Sequence, residues 1–310
     1  MSTLLERGAV SAPHRGVRRR DRLLRLVAGV AAAGVVMGAL WMAMVMPRVP
    51  LKRSSWAPGH AFLARAEFEG DSAVMIRQLR DFDYEADGTP ITRRLDARYA
   101  LDRLQSVWFV LTPFSTTFRG PAHAFLSFGF DDGRYVAVSV EARREVGEEY
   151  SLVDGMLRRF EVAYIIGTER DLIGRRALHD GDDVYLYPIA TTPDRARRLF
   201  REMLVRANAV QDEPEFYHTL WNNCTTNIVD HVNRLVPGRI PPSIRVLLPG
   251  YADALALSLG LIRGASVEEV RAHYRVNDRA RAMAAGDDFS AAIRRGMPAV
   301  VDGRRTAQRP

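Results

Sequence analysis

The first regularity along the chain is an unbroken apolar run, Leu26 to Met46, without a charged residue in 21 positions. At 1.5 Å rise per residue, a helix of that length crosses the hydrocarbon of a bilayer once. After Pro50 the pattern breaks into shorter segments. Trp56 to Phe68 and Ser72 to Tyr84 alternate or carry β-branched and aromatic residues, which predicts strands, and Leu95 to Val107 reads as a helix. Ala122 to Phe130 and Arg134 to Ala142 flank Asp131-Asp132-Gly133 as the arms of a hairpin, and Phe160 to Gly167 and Asp183 to Pro188 predict two more strands.

The second half is helical. Thr192 suits an N-cap with Pro193 at the first position, and Ala196, Leu199, Phe200, Met203, Leu204 and Ala207 line one face before Asp212-Glu213-Pro214 ends the helix. Another begins near Asn222 or Asn223, with Ile228, Val229, Val232 and Leu235 at helical spacing. Leu255 to Ile262 is apolar but too short to span a membrane and reads as a core helix. Loops are marked by Asp87, Gly88 and Pro90, and by Pro237, Gly238, Pro241 and Pro242. The pattern predicts an α+β domain over residues 50–301, its sheet mostly antiparallel and packed on helices.

Charge gives the apolar run an orientation. Residues 1–25 carry seven arginines against Glu6 and Asp21, and residues 302–310 carry three against Asp302, so the two ends account for the whole net charge of +7. The body between them is neutral by count, which argues against a nucleic-acid-binding surface and leaves basic ends suited to anionic lipid. Arginines dominate before residue 26, with only Arg48, Lys52 and Arg53 just after Met46, so the positive-inside rule keeps 1–25 cytoplasmic and exports the rest. Bulky Leu40-Trp41-Met42 and Met44-Val45-Met46 do not suit signal cleavage. The expected arrangement is a basic arm at 1–25, a signal anchor at 26–46, an exported domain at 50–301 and a disordered basic tail at 302–310.

Cys224 is the only cysteine, so no internal disulfide is possible. It falls in the expected first turn of the second helix, where unpaired N–H groups favour a thiolate. A buried free cysteine also serves as a small hydrophobe. A nucleophile needs a base. His231 lies seven residues along the same helix, about 10 Å down its axis, too far for a hydrogen bond. His218 could approach or frame the helix entry, His60 is explained by the Pro58-Gly59 turn, and His179, His273 and His14 sit in ordinary polar contexts. His123, at the start of the hairpin, is the best placed.

A three-residue loop with Gly133 in a left-handed conformation pairs positions summing to 264. Phe128, Leu126 and Ala124 then face Val136, Val138 and Val140, and the opposite face pairs Ser127 with Ala137, Phe125 with Ser139 and His123 with Glu141. That register sets a carboxylate or hydroxyl beside the imidazole, as a thiol–imidazole pair requires. An ordinary cross-strand His–Glu pair is the plainer reading.

These motifs resemble one family. Ala122 to Phe130, Ser139 to Glu145 with Gly147 to Tyr150, Val184 to Pro188 and Tyr217-His218-Thr219 through Asn222-Asn223-Cys224-Thr225-Thr226 are similar to the Lnb-type periplasmic domain family. The likeness extends to Val74–Tyr84 and Leu248–Tyr251 and covers most of residues 55–262. It implies a location on the inner membrane of a bacterium with the domain in the periplasm, thiol acyl transfer on a lipoprotein or acyl lipid, and a circularly permuted papain-like or NlpC-type fold in which the strand histidine precedes the helix cysteine. Carried over by position, Cys224 is the nucleophile, His123 the base, and Glu141 or Ser139 the orienting group. Arg77, Arg80, Arg143, Arg144, Tyr217 and Asn223 also match. Scaffold ion pairs or head-group contacts are their two readings, with Asn223 and Tyr217 placed near the substrate or oxyanion.

Two other functions fit the same residues: a cell-wall peptidase or amidase of the permuted NlpC type, and an anchored binding module without chemistry. No organic cofactor is implied, and one cysteine with scattered histidines shows no zinc spacing. Oligomeric state is not legible.

Overall fold

A computed structural model describes residues 15–50, 54–115, 117–284 and 286–297. Residues 1–14 of the expected basic arm and the expected tail at 302–310 lie outside the described residues. The chain divides into Met1–Val49 and Pro50–Pro310. The first unit holds helix α1, Arg15–Met44, of which Arg20–Met44 is long and apolar enough to cross a membrane. It starts well before the apolar run because arginine and leucine are good helix formers.

The second unit begins with β1 Arg65–Glu69, β2 Ala73–Arg80, β3 Asp83–Tyr84, β4 Pro90–Ile91, β5 Arg94–Ala100, β6 Leu104–Pro113, β7 Ala122–Phe130 and β8 Tyr135–Arg143. It continues with α2 Leu152–Met156, β9 Glu161–Gly167, α3 Glu169–Gly174, a π-helical turn Arg175–His179 and β10 Tyr185–Pro188. The helices α4 Pro193–Asp212, α5 Cys224–Leu235, α6 Ile244–Leu247, α7 Ala252–Ser258, α8 Val267–Tyr274, α9 Asn277–Arg281 and α10 Phe289–Ala292 follow. The main sheet runs β1-β2-β9-β8-β7-β6-β10, with β5 also on β2, and every pairing in it is antiparallel except the single β2–β9 pair Arg80↔Gly167. This is the expected α+β domain with a mostly antiparallel sheet.

The helix expected over Leu95 to Val107 does not form. Arg94–Ala100 pairs with β2, a 3-10 turn at Leu101–Arg103 reverses the chain, and Leu104–Pro113 pairs with β7. Leucines and Tyr99 spaced about four apart mimic a helical stripe, but Val107-Trp108-Phe109-Val110 are β-formers, and burying them on both sides of a central strand outweighs local helix preference. Of the strand expected over Trp56 to Phe68, only Arg65–Glu69 is extended in a ladder. The helix expected at Leu255 to Ile262 sits earlier, as Ala252–Ser258.

The hairpin register is the expected one. Leu126↔Val138, Ser127↔Ala137, Phe128↔Val136 and Gly129↔Tyr135 pair, Phe130 N–H bonds Arg134 C=O, and Gly133 takes φ +84°. Alternation then sends side chains to two faces. Ala124, Leu126, Phe128, Val136, Val138 and Val140 pack with α4 and α5, while Phe125 and Ala137 pack with α3, α9 and α10.

Candidate active site

Cys224 is the first residue of α5 because Asn223 stops the chain from continuing the helix backwards. Its Oδ1 accepts the N–H groups of Thr225 and Thr226, both at 2.9 Å, and the Thr226 hydroxyl accepts the Asn223 N–H at 2.9 Å. This is a complete capping box. The Asn227 N–H bonds the Asn223 carbonyl, which leaves the Cys224 N–H as the first-turn donor that neither cap nor helix claims. Asn223 Nδ2 donates to the Thr219 carbonyl at 2.6 Å. Both ends of its amide are spent on the backbone, so Asn223 shapes the helix entry rather than facing the cavity.

The β7–β8 ladder ends at Leu126↔Val138, and the N-terminus of α5 meets the strands beyond that point. The Cys224 sulfur receives the backbone N–H of Ala124 and lies 3.7 Å from the Thr225 hydroxyl. The thiol belongs to the α5 face of the sheet. His123, Ser139 and Glu141 project from the opposite face, and the opening at the strand ends brings both sets to one cavity of about 250 Å³. Cys224, His123 and Glu141 line it together with Tyr150, Tyr217 and Arg176. Among the described residues no hydrogen bond joins the thiol to the imidazole.

The polar groups on the far side form a directional chain. His123 Nε2 is 2.7 Å from Ser139 Oγ, and Ser139 Oγ donates to Glu141 Oε1 at 3.0 Å. A carboxylate only accepts, so the serine proton points to Glu141 and the Ser139 oxygen must accept from His123 Nε2–H. His123 is thereby fixed as the Nε2–H tautomer with an unprotonated Nδ1. The expected direct pair with Glu141 is longer, at 3.7 Å, because the diagonal serine intervenes.

Glu141 has two more neighbours that hold it charged. Arg176 donates to its Oε1 at 3.1 Å, and His60 Nε2 donates to its Oε2 at 3.3 Å. The Arg144 N–H bonds His60 Nδ1 at 2.9 Å, so the His60 proton is on Nε2. Burial opposes ionisation of Glu141, but the His60 hydrogen bond and the charge of Arg176 outweigh it and hold the carboxyl well below its usual range. Burial lowers His60, and burial with the nearby Arg176 guanidinium lowers His123 to about 3, against the attraction of Glu141. Burial pushes the Cys224 thiol up, partly offset by the Ala124 N–H and by Thr225. At neutral pH the resting pair is therefore thiol and neutral imidazole, and the thiolate suggested by position on the helix is not favoured.

The remaining expected residues separate. Tyr217 is buried, its hydroxyl 3.2 Å from that of Tyr150, and burial with the adjacent thiol drives it far above the usual tyrosine range. Arg143 donates to the His60 carbonyl at 3.2 Å through both Nε and Nη2, lies 3.6 Å from Glu161 and covers the Trp56 ring. It pins the segment that carries His60. Arg80 makes a two-point pair with buried Asp171 and also lines the cavity. Arg77 lies outside the group: it is 45% exposed and bonded to Glu67 and Asp96. His231 is buried against Tyr164 and Glu202, and His218 accepts the Leu220 N–H and stacks on Trp221, framing the loop before Cys224.

His60, Arg176 and Tyr150 were not singled out as site residues from the sequence. His60 is 81 residues from Glu141 and Arg176 is 35, so no local spacing marks them. Arg176 sits on the π-helical turn, an irregularity often found at functional sites. The family model of the Lnb N-terminal periplasmic domain matches residues 92–250, a span that holds Cys224, His123, Ser139, Glu141, Tyr150, Arg176 and Tyr217 but not His60. No curated protein and no solved structure matches the chain.

Proposed function

The chain belongs to the family of the Lnb N-terminal periplasmic domain, and on that footing we propose that it is a membrane-anchored thiol acyltransferase or hydrolase working through an acyl-enzyme on Cys224. The family and the apolar helix Arg20–Met44 make it a membrane-associated periplasmic protein. The observation that carries the chemistry is the hydrogen-bonded series from His123 through Ser139 to Glu141, ending on the cavity that Cys224 also lines.

Substrate entry brings an ester or amide carbonyl to Cys224. His123 Nδ1 takes the Sγ proton as the sulfur attacks, and the imidazolium passes its positive charge towards Glu141 through Ser139. The Cys224 N–H and a hydroxyl of the Tyr150–Tyr217 pair are suited to the oxyanion. Collapse expels an alcohol or amine that collects the proton from His123, leaving a thioester. A second alcohol or amine, or water, then gives its proton to His123, attacks the thioester and restores the thiol. The base acts at the moment of attack rather than from a preformed ion pair. The strand-histidine, helix-cysteine order supports a circularly permuted papain-like arrangement, and the membrane anchor makes an acyl lipid or lipoprotein the economical substrate.

Intact mass after incubation with bacterial lipid extract should show one acyl adduct that hydroxylamine discharges and that Cys224→Ala lacks. Full turnover by Cys224→Ala would end the proposal, and release of muropeptides from sacculi without any acyl adduct would move the reading to a cell-wall amidase.

A further inference from the structure

We infer that the rim of the Cys224 cavity is a second membrane contact, a shallow apolar crown that dips into the lipid bilayer and presents the cavity mouth to it. The inference rests on the membrane-anchored reading above and names the surface from which that site would draw its substrate.

Several of the large hydrophobic side chains exposed on the described part of the domain belong to segments around this one end. Phe114 and Phe118, in the segment joining β6 to β7, are 51% and 62% exposed. Phe114 lines the cavity and meets Tyr150 edge to face. Val153 belongs to α2, which is docked on the Cys224 loop by the Thr219 hydroxyl to Leu152 carbonyl bond and by Gly155, where a Cβ would strike Thr219 Oγ1. Trp221, three residues before the thiol, is 61% exposed. Exposed Leu248 follows α6, beside the close backbone contact of Gly250 with Gly120. Four separate segments that adjoin the cavity-lining residues thus each offer apolar or aromatic side chains to solvent. A water-soluble domain has no reason to concentrate them there. Aromatic side chains flanked by polar backbone suit the interfacial layer of a bilayer.

What argues for lipid rather than a protein partner is where the chain enters the domain. The segment after the apolar helix joins the folded unit beside the site: Ser55 carbonyl accepts the Val146 N–H, Ala57 N–H bonds the Arg144 carbonyl, and His60 bonds Glu141. Trp56 pairs with Glu145 and stacks under Arg143. Only nine residues lie between Met46 and Trp56, a reach of at most about 35 Å. The tether therefore meets the domain at the end that carries the cavity. Arg119 is paired with buried Asp253 and Arg158 lies over the Phe216 ring, so insertion of apolar side chains, rather than attraction to anionic lipid, supplies the contact.

The test uses the full chain in nanodiscs of phosphatidylethanolamine and phosphatidylglycerol, with Cys224→Ala as background and single nitroxide labels on Phe118→Cys, Val153→Cys and, as reference, Val205→Cys on the exposed face of α4. Labels at 118 and 153 should favour oxygen over a water-soluble nickel complex several-fold more than the label at 205. Equal, water-like accessibility at all three would overturn the inference, whether the crown is bare or covers a protein. The readout needs no chemistry at Cys224, so it stands apart from the acyl-enzyme test, and a chain that elutes free of the discs would instead refute the anchor. As a second readout, Phe118→Glu with Val153→Glu should cut turnover of bilayer-borne acyl substrate at least tenfold and leave iodoacetamide alkylation of Cys224 within twofold; unchanged turnover would also overturn it.

Discussion

Ser139 Oγ stands between His123 Nε2 and Glu141 Oε1, 2.7 and 3.0 Å from them, so imidazole and carboxylate communicate through a hydroxyl. Ser139 is fully buried, and replacing it leaves no water-accessible substitute for its proton. Ser139→Ala should lower kcat by roughly 10- to 100-fold with little change in KM, because it releases the imidazole from its tautomer without touching the thiol. Glu141→Gln should cost more, since Arg176 then loses the carboxylate it is bonded to. Steady-state kinetics on the acyl substrate decide this; equal kcat for Ser139→Ala and wild type would remove the serine from the series.

The resting protonation states give a pH expectation at the thiol. Burial raises Cys224 and depresses His123 to about 3, so the pair does not exchange its proton before substrate arrives. Alkylation of Cys224 by iodoacetamide should follow an apparent pKa above the free-thiol value of about 8.5, and His123→Ala should leave that profile nearly unchanged while abolishing turnover. A profile centred near neutrality that moves when His123 is removed would show a preformed ion pair instead.

The same burial makes folding pH-dependent. Unfolding raises the His123 pKa from about 3 towards its ordinary 6.5, so the unfolded chain binds an extra proton between those values. This contribution to stability is fully present above pH 6.5 and is lost as pH falls towards 3, by about 1.4 kcal/mol for each pH unit well inside that window. His231, lowered to about 4 by burial and Arg234, acts in the same sense. Urea midpoints should drop between pH 7 and 5, and less steeply in His123→Phe; parallel slopes would show that His123 is solvated.

His60 acts through Glu141 and is a positioning residue. Its Nδ1 accepts the Arg144 N–H and its Nε2–H reaches Glu141, a pairing that a glutamine amide can reproduce in part. His60→Ala should lower kcat about tenfold at constant KM, and His60→Gln should recover part of the loss. If both variants lost stability and turnover in equal measure, the role would be packing alone.

The hairpin register and the cap of α5 were legible because both are local: alternation plus Gly133 sets the strand pairing, and Asn223 with Thr226 closes the helix end. The register alone brings His123, Ser139 and Glu141 to one region, and the family resemblance implied that Cys224 joins them. What was not legible is long-range or depends on burial. Leu95 to Val107 carries a helical spacing that only its strand neighbours override. His60 and Arg176 reach Glu141 from distant segments. Position at a helix N-terminus predicted an acidic thiol, whereas the desolvation that reverses the shift exists only once Tyr150, Tyr217 and the sheet close around it.

Arg77 tests where the family likeness stops carrying function. It matches a family motif beside Arg80, yet the two side chains leave β2 in opposite directions of consequence: Arg80 is buried on Asp171 and lines the cavity, while Arg77 is bonded to Glu67 and Asp96 in solvent. Exposed ion pairs of this kind contribute little and are screened by salt. Arg77→Ala should therefore leave turnover and the urea midpoint indistinguishable from wild type. Arg80→Ala strands the buried Asp171 carboxylate, which also accepts the Phe82 N–H and the Tyr84 hydroxyl, and should destabilise the domain by several kcal/mol, about 3–5 for breaking a buried pair. A kinetic defect in Arg77→Ala with an unchanged midpoint would return that residue to the site.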